Sequence, residues 1–591
     1  MTLSLLKIKN KVSVAPLPRV SAETSNEIAP GEGRLLRWLI GGALFALPLI
    51  LLVFYYRAMF AGLTNDSALD FAQLGRNLSE GHGFTTYFLR PLALTHGTNA
   101  LRQPDLTHGP LYPVLLALGF GALGAKDSVA AGISGLFYVL TVPVLYWLGT
   151  RVFHRTVGLL AALVFAANPL MLEYAVSGLP ITFFTFLTTV LLLVMHSVAV
   201  TVANRSAEAP PAARASAQPN LSKAPFVLAG LITGALYLTD PIFIWFVPVI
   251  LTAVVVLSGA RRIQALGLFL LPLGALTLPW MIRNLILTGN PIFGLRGMEV
   301  WMNTKDFYPG EVAYRYTPGD LVPGVGLFQA VVRKLLLGAG QVVESFPQVS
   351  ASWMLAFLLP SLLFRFKDTA TNSLRRVMMY CFAGVLIGML PLGIEMPVFA
   401  CLIPAMLVFA IAYLLHLVEQ AQLPRPSVVL LTALLGAAML LPVLRQMVLT
   451  DKPAPRPEVA SARALRQALA PGDVVLSDQP WVVAWYADRP AVWIPAVDKQ
   501  IKEVRTQFPG ARWLFLTDQT RGLSPQWQYI YAMLQQWNQV YIQAQTAGKP
   551  TPGQVRISGA GDPLIESLNG FTVLPPARGT SPTVVIAAVP K

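Results

Sequence analysis

Two carboxylates four residues apart open the stretch most suited to chemistry, Asn65-Asp66-Ser67-Ala68-Leu69-Asp70-Phe71-Ala72. If this stretch is helical, Asp66 and Asp70 share a face one turn apart. A carboxylate in a cleft beside a membrane can take the proton of an acceptor hydroxyl while an anionic group departs. The plainer alternative makes Asp66 a helix N-cap and Asp70 a solvated face residue. Asp240, next to Pro241, has a similar choice between acceptor or cation binding and a simple cap. His82, His96 and His108 lie in the same loop as the carboxylate pair, but their spacing matches no compact metal-ligand pattern, so no metal is expected. No Gly-rich phosphate loop for a nucleotide is present.

The elements that must position these residues are apolar. Of 591 residues 54% are hydrophobic and only 12% charged, against roughly 25% charged in soluble domains. Trp38 to Tyr56 is 19 residues without a charge, about 28 Å as a helix at ~1.5 Å per residue, enough for a bilayer core. Comparable runs recur to Val443, and six basic residues precede the first, which reads as an uncleaved anchor. The two cysteines, Cys381 and Cys401, both sit in apolar runs, so exported disulfides are not expected. A net charge of +15 suits anionic lipid head groups. Its scatter among membrane loops argues against nucleic acid.

Lys and Arg collect on cytoplasmic loops, which places Arg151/Arg155, Arg205 to Lys223, Arg261/Arg262, Arg365 to Arg376 and the N-terminus inside. The expected organisation is a cytoplasmic tail over 1–37, a first crossing over 38–56 and an extracytoplasmic loop over 57–109. A membrane core then runs over 110–287, with a cytoplasmic linker at 204–224. An extracytoplasmic loop covers 288–350, further crossings fill 351–449, and an extracytoplasmic α/β domain occupies 455–591. The run Pro110 to Gly124 is expected to enter the membrane without spanning. That leaves about 11 crossings, with thirteen satisfying the same parity. In the tail, helices are expected at Val459–Leu469 and Gln526–Gln543, and strands at Asp473–Ser477, Arg512–Thr517 and Thr583–Val589. The 288–350 loop carries Trp301, Lys305, Asp306, Tyr308, Glu311, Tyr314, Arg315 and Tyr316. An apolar stretch, Leu321 to Val332, follows and is suited to the membrane surface.

Several segments resemble the GT-C-fold glycosyltransferases, in particular the family 39-like group of dolichyl-phosphate-mannose–protein mannosyltransferases and aminoarabinose transferases. The likeness runs through Asp66, Gly75-Arg76-Asn77-Leu78, Gly81-His82-Gly83 and His108-Gly109-Pro110-Leu111-Tyr112-Pro113. It continues in Leu278-Pro279-Trp280-Met281-Ile282-Arg283-Asn284, in Gly289-Asn290-Pro291-Ile292-Phe293, and in Trp485-Tyr486-Ala487-Asp488-Arg489-Pro490-Ala491-Val492-Trp493-Ile494-Pro495 of the tail. The fold this implies is an α-helical polytopic membrane protein of GT-C type with a small α/β extracytoplasmic domain. The activity it implies is inverting transfer of a sugar from a polyprenyl-phosphate donor to a lipid, glycan or protein acceptor, at the outer face of a cytoplasmic membrane. By the same resemblance Asp66 is the base. Relatives usually place Glu after it where this chain has Ser67, which leaves Asp70 as a substitute. Arg283 and His108 are the donor-phosphate residues, the former competing with a snorkelling role. Glu173, Tyr112 and Asn284 are expected at the substrate. No resident cofactor is implied, only the lipid-linked sugar and membrane lipids. The rival classes are a transporter or lipid flippase, which predicts internal symmetry and mid-membrane charges, and a non-catalytic envelope-assembly relative.

Overall fold

The computed structural model describes residues 32–96, 99–208, 222–258, 261–301, 315, 327–349, 352–495, 497–559, 561–577 and 580–589. Most of the expected N-terminal tail, residues 209–221 of the linker and the charged, aromatic stretch 305–316 apart from Arg315 lie outside these residues, as does 321–326 of the apolar stretch.

Among the described residues, six helices are long and apolar enough to cross a membrane, or seven with a bent pair counted as one span. This multi-pass architecture has its hub in Met396–Gln420, the most enclosed span, while Trp38–Met59 and Arg262–Thr288 lie at the periphery. Close helix contact is made by small residues, which let backbones approach. A Cβ on Gly230 would stand 2.2 Å from the Phe269 carbonyl oxygen, and one on Gly149 would stand 2.7 Å from Gly158 Cα. The apolar runs suggested more crossings than there are long helices, for two reasons. The run Thr156 to Leu172 breaks into Arg155–Ala166 and Pro169–Val176, bent by 57°. Asn168 causes the break, its side chain accepting from the amides of Leu170 and Met171 and so capping a new helix at Pro169. Elsewhere the apolar helices are short, as in Ala224–Thr239.

The first crossing, α1 (Glu32–Met59), leads into α2 (Asp66–Ser79), whose start is fixed by Asn65: its side chain accepts from the Ser67 amide at 2.9 Å. Next come α3 (Leu111–Leu123) and α4 (Asp127–Val152). As 13 residues, α3 is about 20 Å long, short of a ~30 Å hydrocarbon core. It packs on α2 so closely that a Cβ on Gly75 would meet Leu116 Cβ at 2.6 Å.

The tail folds as an α/β layer around six strands: β1 (Phe88–Leu89), β2 (Val474–Ser477), β3 (Ala491–Trp493), β4 (Ala511–Leu516), β5 (Thr572–Val573) and β6 (Val585–Ala588). Their order is β1-β3-β2-β4-β6-β5. The first four are parallel, with Phe88 opposite Ala491 and Leu476 opposite both Val492 and Leu514. β6 and β5 are antiparallel additions. The helices flanking this sheet are Glu458–Ala468 and Pro525–Thr546. β1 comes from the first loop. Read as separate regions in sequence, that loop and the tail share one sheet and one apolar core, in which Leu89 and Leu94 pack with Val492, Ile501 and Trp527.

Arg76 locks the two together. Its guanidinium donates to the carbonyls of Ala484 and Trp485 at 2.7 and 2.8 Å and pairs with Asp488 at 2.9 Å. Asp127, at the start of α4, accepts from Trp485 Nε1 and Tyr486 OH at 2.7 and 2.8 Å. Two motifs some 400 residues apart in sequence are thus halves of one joint. A buried cation held by two carbonyls and a carboxylate is costly to break.

Candidate functional site

A cavity of about 480 Å³ opens where α2, the C-terminal ends of the parallel strands and the sheet-side ends of the membrane helices meet. Its wall carries Asp66, Asp70, Arg90, His108, Asp240, Arg296, Glu299 and Glu395, with Trp481 and Trp493 from the α/β layer. Because Asn65 takes the cap, Asp66 is the first helical residue and its carboxylate stays free of the capping role. It sits at the positive end of α2. Its side chain is 50% exposed and pairs with Arg456 at 2.6 Å. Arg456 also donates to Gln479 Oε1 at 3.0 Å, and Gln479 donates to Thr517 Oγ1 at 3.0 Å. A polar chain therefore runs from the cavity into the α/β layer.

Asp70 lies one turn deeper and is 3% exposed. It accepts from Gln73 Nε2 at 3.0 Å and forms a very short ion pair with Arg90. His108 Nε2 lies 3.5 Å from Asp70, and its Nδ1 lies 3.4 Å from the buried Asp105 carboxylate. Asp105 also accepts the backbone amides of Thr107 and His108 at 3.1 and 2.8 Å. Burial acts to raise the Asp105 carboxyl. His108, through its charge, ring and backbone N–H, together with Arg90 outweighs this and brings it to about 2. For His108 burial opposes protonation, but the Asp70 and Asp105 carboxylates outweigh it and the imidazole titrates above its ordinary value. Asp70, Arg90, Asp105 and His108 are thus a charge-paired, buried foundation under the Asp66 end of the cavity.

The membrane-side wall is organised by Arg296. It meets Glu395 at 2.9 Å, Asp240 at 3.3 Å and Glu299 at 3.8 Å. Asp240 also caps the short helix Pro241–Trp245 by accepting the Ile242 amide at 2.9 Å, so the binding and capping readings of this residue hold together. Glu395 is enclosed by protein walls yet 51% open to the cavity. Burial pushes its carboxyl up, Arg296 opposes this, and Asp240 adds to the rise. Lys334 braces the wall from behind, donating to the carbonyls of Pro391 and Leu392 at 3.0 and 3.2 Å and to that of Glu299.

The residues singled out in sequence divide into two groups. Asp66, Asp70 and His108 share the cavity. Arg283 is absent from its lining: its guanidinium donates to the Asp105 carbonyl at 2.8 Å and to Asn284 Oδ1 at 3.1 Å, and stacks over Trp280 at 4.4 Å. It supports the Asp105–His108 turn from outside. Asn284 is buried, donating to the Phe293 carbonyl at 3.3 Å and so holding the turn after the helix. Tyr112 is fully buried, its hydroxyl bonding the Gly178 carbonyl at 2.8 Å and Ser134 Oγ at 2.9 Å. Glu173 is exposed on Pro169–Val176, away from the cavity lining. Sequence reasoning missed Arg90, Arg296, Arg456 and Trp481, and gave Trp493, though within the tail motif, no site role. None has a local pattern that separates it from an ordinary surface or loop residue. Among the described residues, no group of three or more His, Cys, Asp or Glu could hold a metal ion.

No protein-family model and no curated protein matches the sequence. Solved structures do. ArnT from Cupriavidus metallidurans in the apo state superposes with a TM-score of 0.52 at 13% identity, over 94% of this chain and 98% of that one. The apo Archaeoglobus fulgidus oligosaccharyltransferase superposes with a TM-score of 0.52 at 13% identity, over 83% of this chain and 71% of that one. At such identities the likeness is one of fold, and the fold is that of the GT-C glycosyltransferases.

Proposed function

We propose that this GT-C-type membrane protein transfers a sugar from a polyprenyl-phosphate donor to an acceptor hydroxyl in the cavity beneath its α/β layer. The observation that carries this reading is the presence of a half-open carboxylate, Asp66, and an arginine, Arg296, on the walls of one cavity between the membrane helices and the α/β layer. Asp66 takes the acceptor proton as the acceptor oxygen attacks the anomeric carbon. The bond from that carbon to the phosphate oxygen breaks, the phosphate leaves with the electron pair, and attack from the opposite face inverts the configuration. Arg296 takes the phosphate-binding role assigned to Arg283 by resemblance, since guanidinium and phosphate match in charge and geometry. The phosphate must compete with Glu395 and Asp240, and the raised carboxyl of Glu395 is the partner most readily neutralised. Pro397 and Val398 on the same wall provide an apolar exit for the isoprenoid tail.

We place the α/β layer outside the cytoplasm, a reading that the distribution of basic residues supports. The basic helix ends bearing Arg151 and Arg375 lie together at the opposite end of the bundle, where His196 Nε2 meets the Arg151 carbonyl at 3.1 Å and Thr371 Oγ1 donates to that of Val152 at 3.2 Å. This is the arrangement the positive-inside rule describes.

The test is Asp66→Asn, which keeps the shape and removes the base. Reconstituted membranes supplied with labelled polyprenyl-phosphate sugar should transfer label with the wild type and lose at least a hundredfold in rate with the variant, in line with the ~10²–10⁴-fold typical of general acid–base catalysis. Full transfer by the variant would reject Asp66 as base, and translocation of label without transfer would favour a flippase.

A further inference from the structure

We propose that the soluble-layer half of the cavity is a carbohydrate subsite, formed by Trp481, Trp493 and Phe88, so that the acceptor presents a sugar ring to Asp66. This rests on the transferase reading and narrows its acceptor from lipid, glycan or protein to a glycan.

All three rings line the same cavity as Asp66. They stand mutually edge-on: Trp481 and Trp493 have centroids 5.3 Å apart at 80°, and Phe88 lies 5.5 Å from each, at 73° and 65°. The topology explains their convergence. Trp493 ends β3, Trp481 follows the end of β2, and Phe88 starts β1, which pairs with β3. β3 lies on one side of β2 and β4 on the other, so the strand order reverses at β2. Ligands of open parallel sheets bind beyond the carboxyl ends of strands at such a switch point. Here that edge faces the cavity.

A second observation gives the ligand its chemistry. Trp481 Nε1 is buried and has no hydrogen-bond partner. Buried N–H groups are nearly always satisfied, so an unmet donor on a ring of the cavity wall calls for an acceptor atom. An apolar ring face beside an indole donor, with the Asp66 carboxylate on the same wall, asks for a ligand with one C–H face and hydroxyls around its rim. A pyranose has that form. An alkyl alcohol offers nothing to the indole N–H beyond its single hydroxyl. The relation to the base is short in sequence as well: Gln479, two residues before Trp481, accepts from the same Arg456 that pairs with Asp66.

The experiment uses the full chain in lipid nanodiscs and saturation-transfer NMR with three probes: N,N′-diacetylchitobiose, a serine-containing hexapeptide and decaprenyl phosphate. The expected result is saturable chitobiose binding, weakened at least tenfold by Trp481→Ala and by Trp493→Ala. Trp481→Phe, which keeps a ring and removes the N–H, should weaken it about threefold. Decaprenyl phosphate should bind all variants alike, which also reports that they are folded. If an alanine variant fails to fold, Trp481→Phe alone decides. Wild-type chitobiose affinity in the folded variants, absence of chitobiose binding to the wild type, or binding of the peptide in its place would overturn the proposal. Failure of decaprenyl phosphate to bind the wild type would instead count against the transferase reading, whatever the sugar probe does.

Discussion

Replacing Arg90 with methionine keeps much of the side chain's volume but removes the cation between Asp70 and Asp105. Arg90, Asp70 and Asp105 are 5%, 4% and 0% exposed, so solvent cannot take over the lost charge. Removing one partner of a buried ion pair typically costs ~3–5 kcal/mol because the other charge is left uncompensated. His108 and Gln73 still face Asp70, and His108 still faces Asp105, which argues for the lower end, about 3 kcal/mol. At roughly 2–4 °C per kcal/mol for domains of 150–250 residues, the apparent Tm should fall by about 6–12 °C at most in this longer chain. The assay is thermal unfolding of detergent-solubilised protein at a fixed scan rate, since unfolding of such a chain is under kinetic control. Adding Asp70→Asn to Arg90→Met removes both charges and should recover a measurable part of the loss, as coupled neighbours do. A Tm drop under ~2 °C for Arg90→Met would refute the foundation role. So would an Asp70→Asn variant that keeps its Tm and loses transfer, which would return Asp70 to the chemistry.

Three further outcomes are expected. Gly109→Ala should give unstable or poorly inserted protein, measured by Tm and membrane yield, because the new Cβ would stand 2.2 Å from the Leu238 carbonyl oxygen and 2.7 Å from its carbon, both backbone. Arg76→Leu should loosen the tail from α2 and speed its limited proteolysis severalfold, leaving the carbonyls of Ala484 and Trp485 without this donor. Asp478→Asn should flatten the dependence of stability on pH. Burial raises this carboxyl from 3.8 to about 6 against hydrogen bonds from Thr517 and Thr520, so its ionised form costs up to ~3 kcal/mol. A raised folded-state value means the contribution is present below 3.8 and lost as pH rises through about 6. The variant should therefore gain on the wild type between pH 4 and pH 7 in Tm measured across that range.

Much of the architecture was legible in one dimension because it depends on local sums. Long uncharged runs must be helices in lipid, where every backbone polar group has to be satisfied within the segment. Alternation of short apolar strands with amphipathic stretches marks a small α/β layer, and the observed strands at Val474–Ser477 and Ala511–Leu516 fall where β-branched and aromatic residues cluster. The carboxylate pair at Asp66 and Asp70 could also be read from its spacing. The cap that frees Asp66 could not be told from its neighbour: Asn65 and Asp66 are both good cap residues, and only the backbone geometry at Asn65 decides between them.

Tertiary structure alone decided what each charge does. Asp66 and Asp70 look equivalent on a helix wheel, but on the wall of one cavity the first is half exposed and the second is buried against Arg90, because burial is set by what packs against the helix. Arg283 carries the stronger motif, yet its guanidinium is taken by a carbonyl, while the unremarked Arg296 reaches the wall. The pairing of β1 with β3, across some 400 residues, brings Phe88 beside Trp493 and closes the cavity with the α/β layer. Side-chain periodicity reports which face of an element is apolar; it holds no information about which distant element covers that face, and the proposed site lies where such elements meet.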